Sequence, residues 1–221
     1  MRENPGRLPV PFARFDMLTV AASAIALLFW IVQPDGTGTG VALAVAGAMQ
    51  TIRLARWAGD RTARERLLLI LHIGYAFVPL GFLLGAAAAF GQVPAAAGIH
   101  AWMAGAAGVM TLAVMSRASL GHTGQPLTAS AATQAIYVAI IIAAAARICA
   151  VLEPAHSLPL LYLAALAWAA AFWICGLLWP GAGRLSKACG ARRPSRLTFK
   201  SFDLQSFDGG RLILLKARLM R

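Results

Sequence analysis

The sequence predicts an all-α fold, a polytopic membrane helix bundle with about six transmembrane helices. Hydrophobic residues make up 59% of the 221 residues and charged residues only 13%, whereas soluble domains average about 25% charged residues. The apolar residues are gathered into runs close to the roughly 20 residues that a helix needs to cross the hydrocarbon core of a bilayer. These two observations indicate an integral membrane protein whose immediate partner is the lipid bilayer.

Six apolar runs follow one another, separated by turns rich in glycine and proline. We expect transmembrane helices at about residues 16–32, 41–56, 67–90, 95–116, 131–152 and 159–179. The first run is interpreted as a retained helix, because no small-residue cleavage site ends it and further runs follow at once. Residues 1–180 then form a six-helix bundle, and residues 181–221 form a basic cytoplasmic tail, either disordered or attracted to the anionic membrane surface.

The basic residues are distributed unevenly about these runs. If the N-terminus lies inside, 19 of the 20 lysines and arginines fall on cytoplasmic segments, and the outer turns carry the acidic Asp35 and Glu153. The positive-inside rule therefore predicts an N-in, C-in orientation. The net charge of +12 does not indicate a nucleic-acid partner, because the charges flank apolar runs instead of forming a folded basic face.

Several classes of site have no signal in this sequence. The cysteines Cys149, Cys175 and Cys189 contain no CxxC pair, so neither a zinc site nor a redox dithiol is indicated. There is no glycine-rich phosphate loop and no plausible Ser-His-Asp arrangement, which disfavours nucleotide-binding and hydrolase functions. Asp16 and Glu153 stand only at the edges of apolar runs, whereas proton-coupled transporters usually have a carboxylate in the interior.

The histidines fall at two depths. His72 lies roughly 7 Å into the third helix from the inner side, and His122 follows the fourth helix at the same inner face. His100 enters the fourth helix from the outer side, roughly 15 Å from His72 in depth, so these two imidazoles cannot bind one metal ion. One possible role for each of these two histidines is a hydrogen bond to a neighbouring helix. The other is a functional role such as metal binding, because polar groups inside membranes tend to be functional. His156 lies in an outer turn, where a histidine does not have the free-energy cost of a polar group inside the membrane.

Arg147 is the one basic residue within an apolar run. Its side chain either extends to the outer surface or pairs with an anion such as a carboxylate, which a guanidinium binds with two hydrogen bonds. Small residues form a separate pattern: Gly81 and Gly85 make a GxxxG motif, and Gly105 and Gly108 thin one side of the fourth helix. We expect the third and fourth helices to pack closely across the turn between them.

Three segments resemble the NnrS family: His72–Ile73–Gly74–Tyr75, His100–Ala101–Trp102, and the more specific RASLGHTG motif from Arg117 to Gly124. The resemblance spans roughly residues 14–180. It implies a multi-helix bacterial inner-membrane protein that carries haem and copper and is linked to the nitric oxide response. It also implies His72, His100 and His122 as ligands of haem or copper, and a haem propionate as the anion for Arg147.

Members of that family usually have about twice as many helices, so the resemblance covers their C-terminal half and implies a second membrane chain that supplies the other half. Our leading hypothesis is a haem- and copper-binding protein of nitric oxide metabolism, with neutral imidazoles as ligands. One alternative is a transporter or channel in which Arg147 helps to line a path for a small anion or neutral solute. Another is a truncated half that binds no cofactor. The sequence does not say whether the protein is an enzyme.

Overall fold

The computed structural model describes residues 10–57, 59–62 and 65–178, and within them the chain is helical with no strand. This confirms the predicted all-α fold. The predicted basic tail, residues 181–221, lies outside the described residues. Six long helices follow one another: α1 Arg14–Val32, α2 Thr37–Arg56, α3 Arg66–Ala89, α4 Ala96–His122, α5 Ala131–Leu152 and α6 Ser157–Leu178. Short 3₁₀ turns at Gly59–Thr62 and Pro154–His156 lead into α3 and α6.

Five of these helices are long and apolar enough to cross a membrane, and α2 is the exception among the described residues. Its length is sufficient at 20 residues, but it begins Thr-Gly-Thr-Gly and contains Gln50, Arg53 and Arg56. The helix packs against both α1 and α3. Between these neighbours Gln50 is buried and Arg53 and Arg56 are half-buried, which lets a weakly hydrophobic helix belong to the bundle.

The fourth helix continues to His122, past the predicted end near Ser116. It ends where Gly124 adopts a left-handed backbone with φ of 67°. There the Gly124 N–H donates to the Gly121 carbonyl at 3.3 Å and the Gln125 N–H donates to the Leu120 carbonyl at 3.0 Å. This pair of bonds is a Schellman cap, which favours glycine because a Cβ is strained at positive φ. The second glycine of the RASLGHTG motif thus ends a helix.

Close packing of α3 on α4 is confirmed. A Cβ added to Gly98 would lie 3.0 Å from the Gly81 carbonyl oxygen and 3.0 Å from the Gly85 nitrogen, so the two backbones are nearly in contact. Gly81 also makes room for the indole of Trp102, whose Nε1–H donates to the Val78 carbonyl at 3.1 Å. Because glycines leave no side chain between the two helices at this crossing, the backbones of α3 and α4 approach each other directly.

The buried apolar residues form two clusters along the bundle. The first joins α3, α4, α5 and α6 through residues such as Leu67, Leu112 and Ile140. The second joins α1, α2 and α3 through Ala26, Leu43, Ala46, Phe82 and Ala86, with Trp102 packed against it. Since α3 contributes to both clusters, it is the central helix on which the other elements are arranged.

Candidate functional site

His72 lies half-buried on α3, beneath the loop that follows α2. Its Nδ1 is 3.0 Å from the Leu68 carbonyl oxygen, so in the tautomer protonated at Nδ1 that nitrogen donates to the carbonyl. The Trp57 ring meets it edge-on with centroids 6.3 Å apart, and a Cβ on Gly59 would come within 2.7 Å of its Cδ2. The loop therefore approaches the imidazole so closely that only glycine fits at position 59.

His100 lies half-buried on α4, immediately before a π-helical segment, Ala101–Ala107. In that segment the Gly108 N–H bonds the carbonyl of Met103, five residues earlier. Such π segments are rare and occur frequently at functional sites. The start of α4 packs against α5, and Arg147 on α5 lies within electrostatic range of the His100 ring.

No carboxylate of the described residues forms an ion pair with Arg147. Glu153, six positions further along the chain, instead lies 4.0 Å from Nδ1 of His156. The guanidinium of Arg147 is exposed at the surface of the bundle. A half-buried imidazole and an exposed cation without an anionic partner among the described residues therefore lie within electrostatic range of each other, in the half of the bundle that is predicted to face outward.

His122 is the last residue of α4 and is exposed. It borders an open groove of about 440 Å³, whose lining residues are Val114, Arg117, Ala118, Gly121, His122 and Leu127. Four of these residues belong to the RASLGHTG motif. The motif thus forms one wall of a surface groove at the predicted inner end of the helix.

The three candidate histidines have different surroundings: His72 faces the loop after α2, His100 faces α5, and His122 faces the loop after α4. Within residues 10–57, 59–62 and 65–178, no three side chains of histidine, cysteine, aspartate or glutamate are grouped so that they could hold a metal ion. A haem is commonly held by an imidazole on its iron and by a cation at a propionate, and His100 and Arg147 are residues of these two kinds. A copper ion held by three histidines of this chain does not fit the described arrangement.

The sequence analysis missed a buried polar network between α1, α2 and α3. Asp16 is 3% exposed, and its carboxylate accepts from Arg53 Nε at 3.2 Å and lies 3.8 Å from Arg56 Nη2. Its second role is local, since the Ala13 N–H donates to Asp16 Oδ2 at 2.9 Å in the first turn of α1. A carboxylate there also interacts favourably with the positive end of the helix dipole.

The network continues from Arg53 into the bundle. Arg53 Nη1 donates to the Tyr75 hydroxyl at 3.2 Å, and the Tyr75 hydroxyl donates to Gln50 Oε1. Gln50 Nε2 donates to Ser23 Oγ at 2.8 Å, and the Ser23 hydroxyl donates to the Thr19 carbonyl at 2.8 Å. Every link is hydrogen-bonded, as buried polar groups require. Helical spacing could have revealed it, because Asp16, Thr19 and Ser23 share one face of α1.

This polar network and His72 share one neighbour, Trp57. The Arg53 guanidinium carbon lies 5.3 Å from the centroid of the Trp57 ring, and the rings of Trp57 and Tyr75 have centroids 4.6 Å apart. A cation over an indole face is attracted by the ring electrons. The network therefore fixes the residue against which the His72 ring packs.

Comparison with known proteins gives one match. The model of a protein family described as "NnrS protein" matches residues 3–179, which is most of the chain. No curated protein and no solved structure gives a significant match. At the level of that family, the chain is associated with the nitric oxide response. Its apolar helices and the family match indicate a multi-pass membrane protein. This chain belongs to the NnrS family.

Proposed function

We propose that this chain is a haem-binding protein of the nitric oxide response in the bacterial inner membrane. His100 would hold the haem iron, and Arg147 would bind a haem propionate. The observation that carries the proposal is the half-buried His100 imidazole within electrostatic range of Arg147, which has no carboxylate partner among the described side chains.

The two residues have complementary chemistry for this ligand. A neutral imidazole coordinates iron through a ring nitrogen. A guanidinium in an apolar helix is costly unless it has a partner, and a carboxylate satisfies it with two hydrogen bonds. When bound, a haem held by one histidine supplies an iron with an open position for a diatomic gas.

Copper is the second cofactor that the family implies, and we extend the proposal to it through His72. Metal-binding histidines usually donate their other ring N–H to a carbonyl or carboxylate, as His72 does to Leu68 through Nδ1. This leaves Nε2 for a metal. The role of His122 as a ligand of haem or copper stays a prediction that rests on the RASLGHTG resemblance. The second membrane chain stays a prediction that rests on the greater number of helices in the family.

The experiment is purification of the full chain from haem-replete cells, followed by a visible spectrum and metal analysis. We expect a Soret band that His100→Ala abolishes and an affinity for haem that Arg147→Gln lowers by about tenfold, the loss of one charge-assisted contact. His156→Ala is the matched control, because this outer histidine is 73% exposed and pairs only with Glu153. A colourless protein, or full haem content in His100→Ala, would refute the proposal.

Arg147 also supports a second candidate function, the transport of a small anion. An anion transporter would use the same Arg147 guanidinium to attract its substrate, and it would contain no metal. Flux of a small anion in liposomes, abolished by Arg147→Ala in a protein without a Soret band, would favour that function.

A further inference from the structure

The groove beside His122 owes its shape to the end of α4. The Schellman cap at Gly124 turns the chain back on itself, so that Leu127 lies against the last turns of the helix. Gly121 has no heavy atom within 4 Å of an added Cβ, which keeps the middle of the groove open. The groove of about 440 Å³ therefore has the helix as one wall and the returning loop as the other.

The lining of the groove changes in character along its length. Val114 and Leu127 are 57% and 48% exposed, so they present large apolar surfaces to a ligand. Arg117 lies about one helical turn beyond Val114 and His122 lies about two turns beyond it, and these two are the polar residues of the lining. Arg117 is exposed and forms no ion pair with any residue in the part of the chain that the structure describes.

We propose that this groove binds an anionic phospholipid of the inner leaflet. The lipid phosphate lies against Arg117 and His122, and an acyl chain lies along Val114 and Leu127. A guanidinium binds phosphate oxygens through two parallel hydrogen bonds, and basic pockets at the cytoplasmic side of transmembrane helices recognise anionic headgroups. The proposal is independent of haem binding at His100.

The helix end does not oppose an anion here. The C-terminal carbonyl groups of a helix carry partial negative charge and would repel a phosphate if they were free. In α4 three of the last four are occupied: the Thr123 N–H donates to the Ser119 carbonyl at 3.1 Å, and the two Schellman bonds cover the carbonyls of Leu120 and Gly121. The Arg117 guanidinium supplies the positive charge that attracts an anion to the groove.

The apolar wall favours a lipid over free phosphate. A free phosphate ion would be held by Arg117 and His122 alone, at an exposed site where water competes for both partners. A phospholipid adds contact with Val114 and Leu127, and each buried methylene group contributes to affinity. The depth agrees as well, because Arg117 stands where the apolar run ends, at the level of the headgroups.

Photo-crosslinking tests the site locally. The full chain is reconstituted in phosphatidylcholine vesicles with a trace of phosphatidylglycerol that carries a photoactivatable acyl chain, and the crosslinked peptides are located by mass spectrometry. We expect crosslinks on residues 114–127 that unlabelled phosphatidylglycerol displaces and that added phosphatidylcholine or inorganic phosphate does not. Arg117→Gln should lower the crosslink yield there about tenfold.

Arg14→Gln is the matched control. It removes one exposed charge at the same predicted inner side but lies on α1, outside the groove, so the yield on residues 114–127 should not change. His122→Gln and Arg117→Lys provide second variants if Arg117→Gln does not fold, and both should lower the yield. An unchanged yield in folded Arg117→Gln, equal loss in Arg14→Gln, or displacement by phosphatidylcholine or by inorganic phosphate would each overturn the proposal.

Discussion

Replacement of Asp16 by alanine tests whether the polar network holds α1 to α2. Removal of one partner from a buried ion pair costs about 3–5 kcal/mol, because the other charge is left without compensation. The Asp16 side chain is 4% exposed, but those of Arg53 and Arg56 are 16% and 27% exposed. Both arginines can extend toward headgroups or water after the loss. We therefore expect Asp16→Ala to lower the free energy of unfolding by about 3 kcal/mol, the lower end of that range.

The assay is unfolding of the purified chain in mixed micelles by titration with a denaturing detergent, followed by tryptophan fluorescence. Asp16→Asn separates charge from hydrogen bonding, since it keeps an acceptor for the Ala13 N–H. It should recover about 1 kcal/mol, the usual value of a helix N-terminal cap. Asp35→Ala is the control, because Asp35 is an exposed aspartate in the turn before α2. An Asp16→Ala protein within about 0.5 kcal/mol of wild type, the range of an ordinary surface substitution, would refute the network's role.

Two further predictions concern backbone positions that only glycine fills without cost. Gly98→Ala forces a Cβ against the backbone of α3 at 3.0 Å and should destabilise the bundle by about 1–3 kcal/mol. Gly38→Ala is the control, because nothing lies within 4 Å of its added Cβ. It should be neutral or stabilising in the same detergent titration. Gly124→Ala places a side chain at φ of 67° and should cost about 1–2 kcal/mol. Gly121→Ala is its control, because Gly121 lies three residues earlier, has no positive φ, and has nothing within 4 Å of an added Cβ; equal effects of the two would contradict the cap.

The sequence predicted the helices well where the helix ends together with the apolar run. It predicted them less well where the helix continues beyond the apolar run. Arg117 leaves the apolar pattern, so the pattern predicts that the fourth helix ends near Ser116. The backbone nevertheless stays helical to His122, because arginine, alanine, serine and leucine are all compatible with a helix outside the hydrocarbon. The end of an apolar run therefore marks the membrane boundary, whereas the Gly124 cap marks the end of the helix.

The candidate site shows the same division between local and long-range information. Helical rise predicted from sequence that His72 and His100 lie at different depths, and the described residues contain no cluster that joins them. The neighbour of His100 was not predictable, because the proximity of Arg147 depends on how α4 and α5 are rotated about their axes. The pairing of Asp16 with Arg53 likewise requires that α1 and α2 meet at one register, which no local pattern specifies.

The π-helical segment gives α4 a spare residue. One set of buried positions recurs along the helix less often than once in the ordinary α-helical turn of about 3.6 residues. It comprises Ala97, Ala101, Gly105, Gly108, Leu112, Ser116 and Leu120, and Gly98, Ala106, Val109 and Ala113 are buried beside it. A uniform α-helix of this sequence would gradually rotate its inward stripe toward lipid, and the wider turn at Ala101–Ala107 takes up the surplus. Loss of one alanine from that stretch should consequently leave both halves of the helix facing inward, whereas loss of a residue elsewhere would swing His100 away from Arg147.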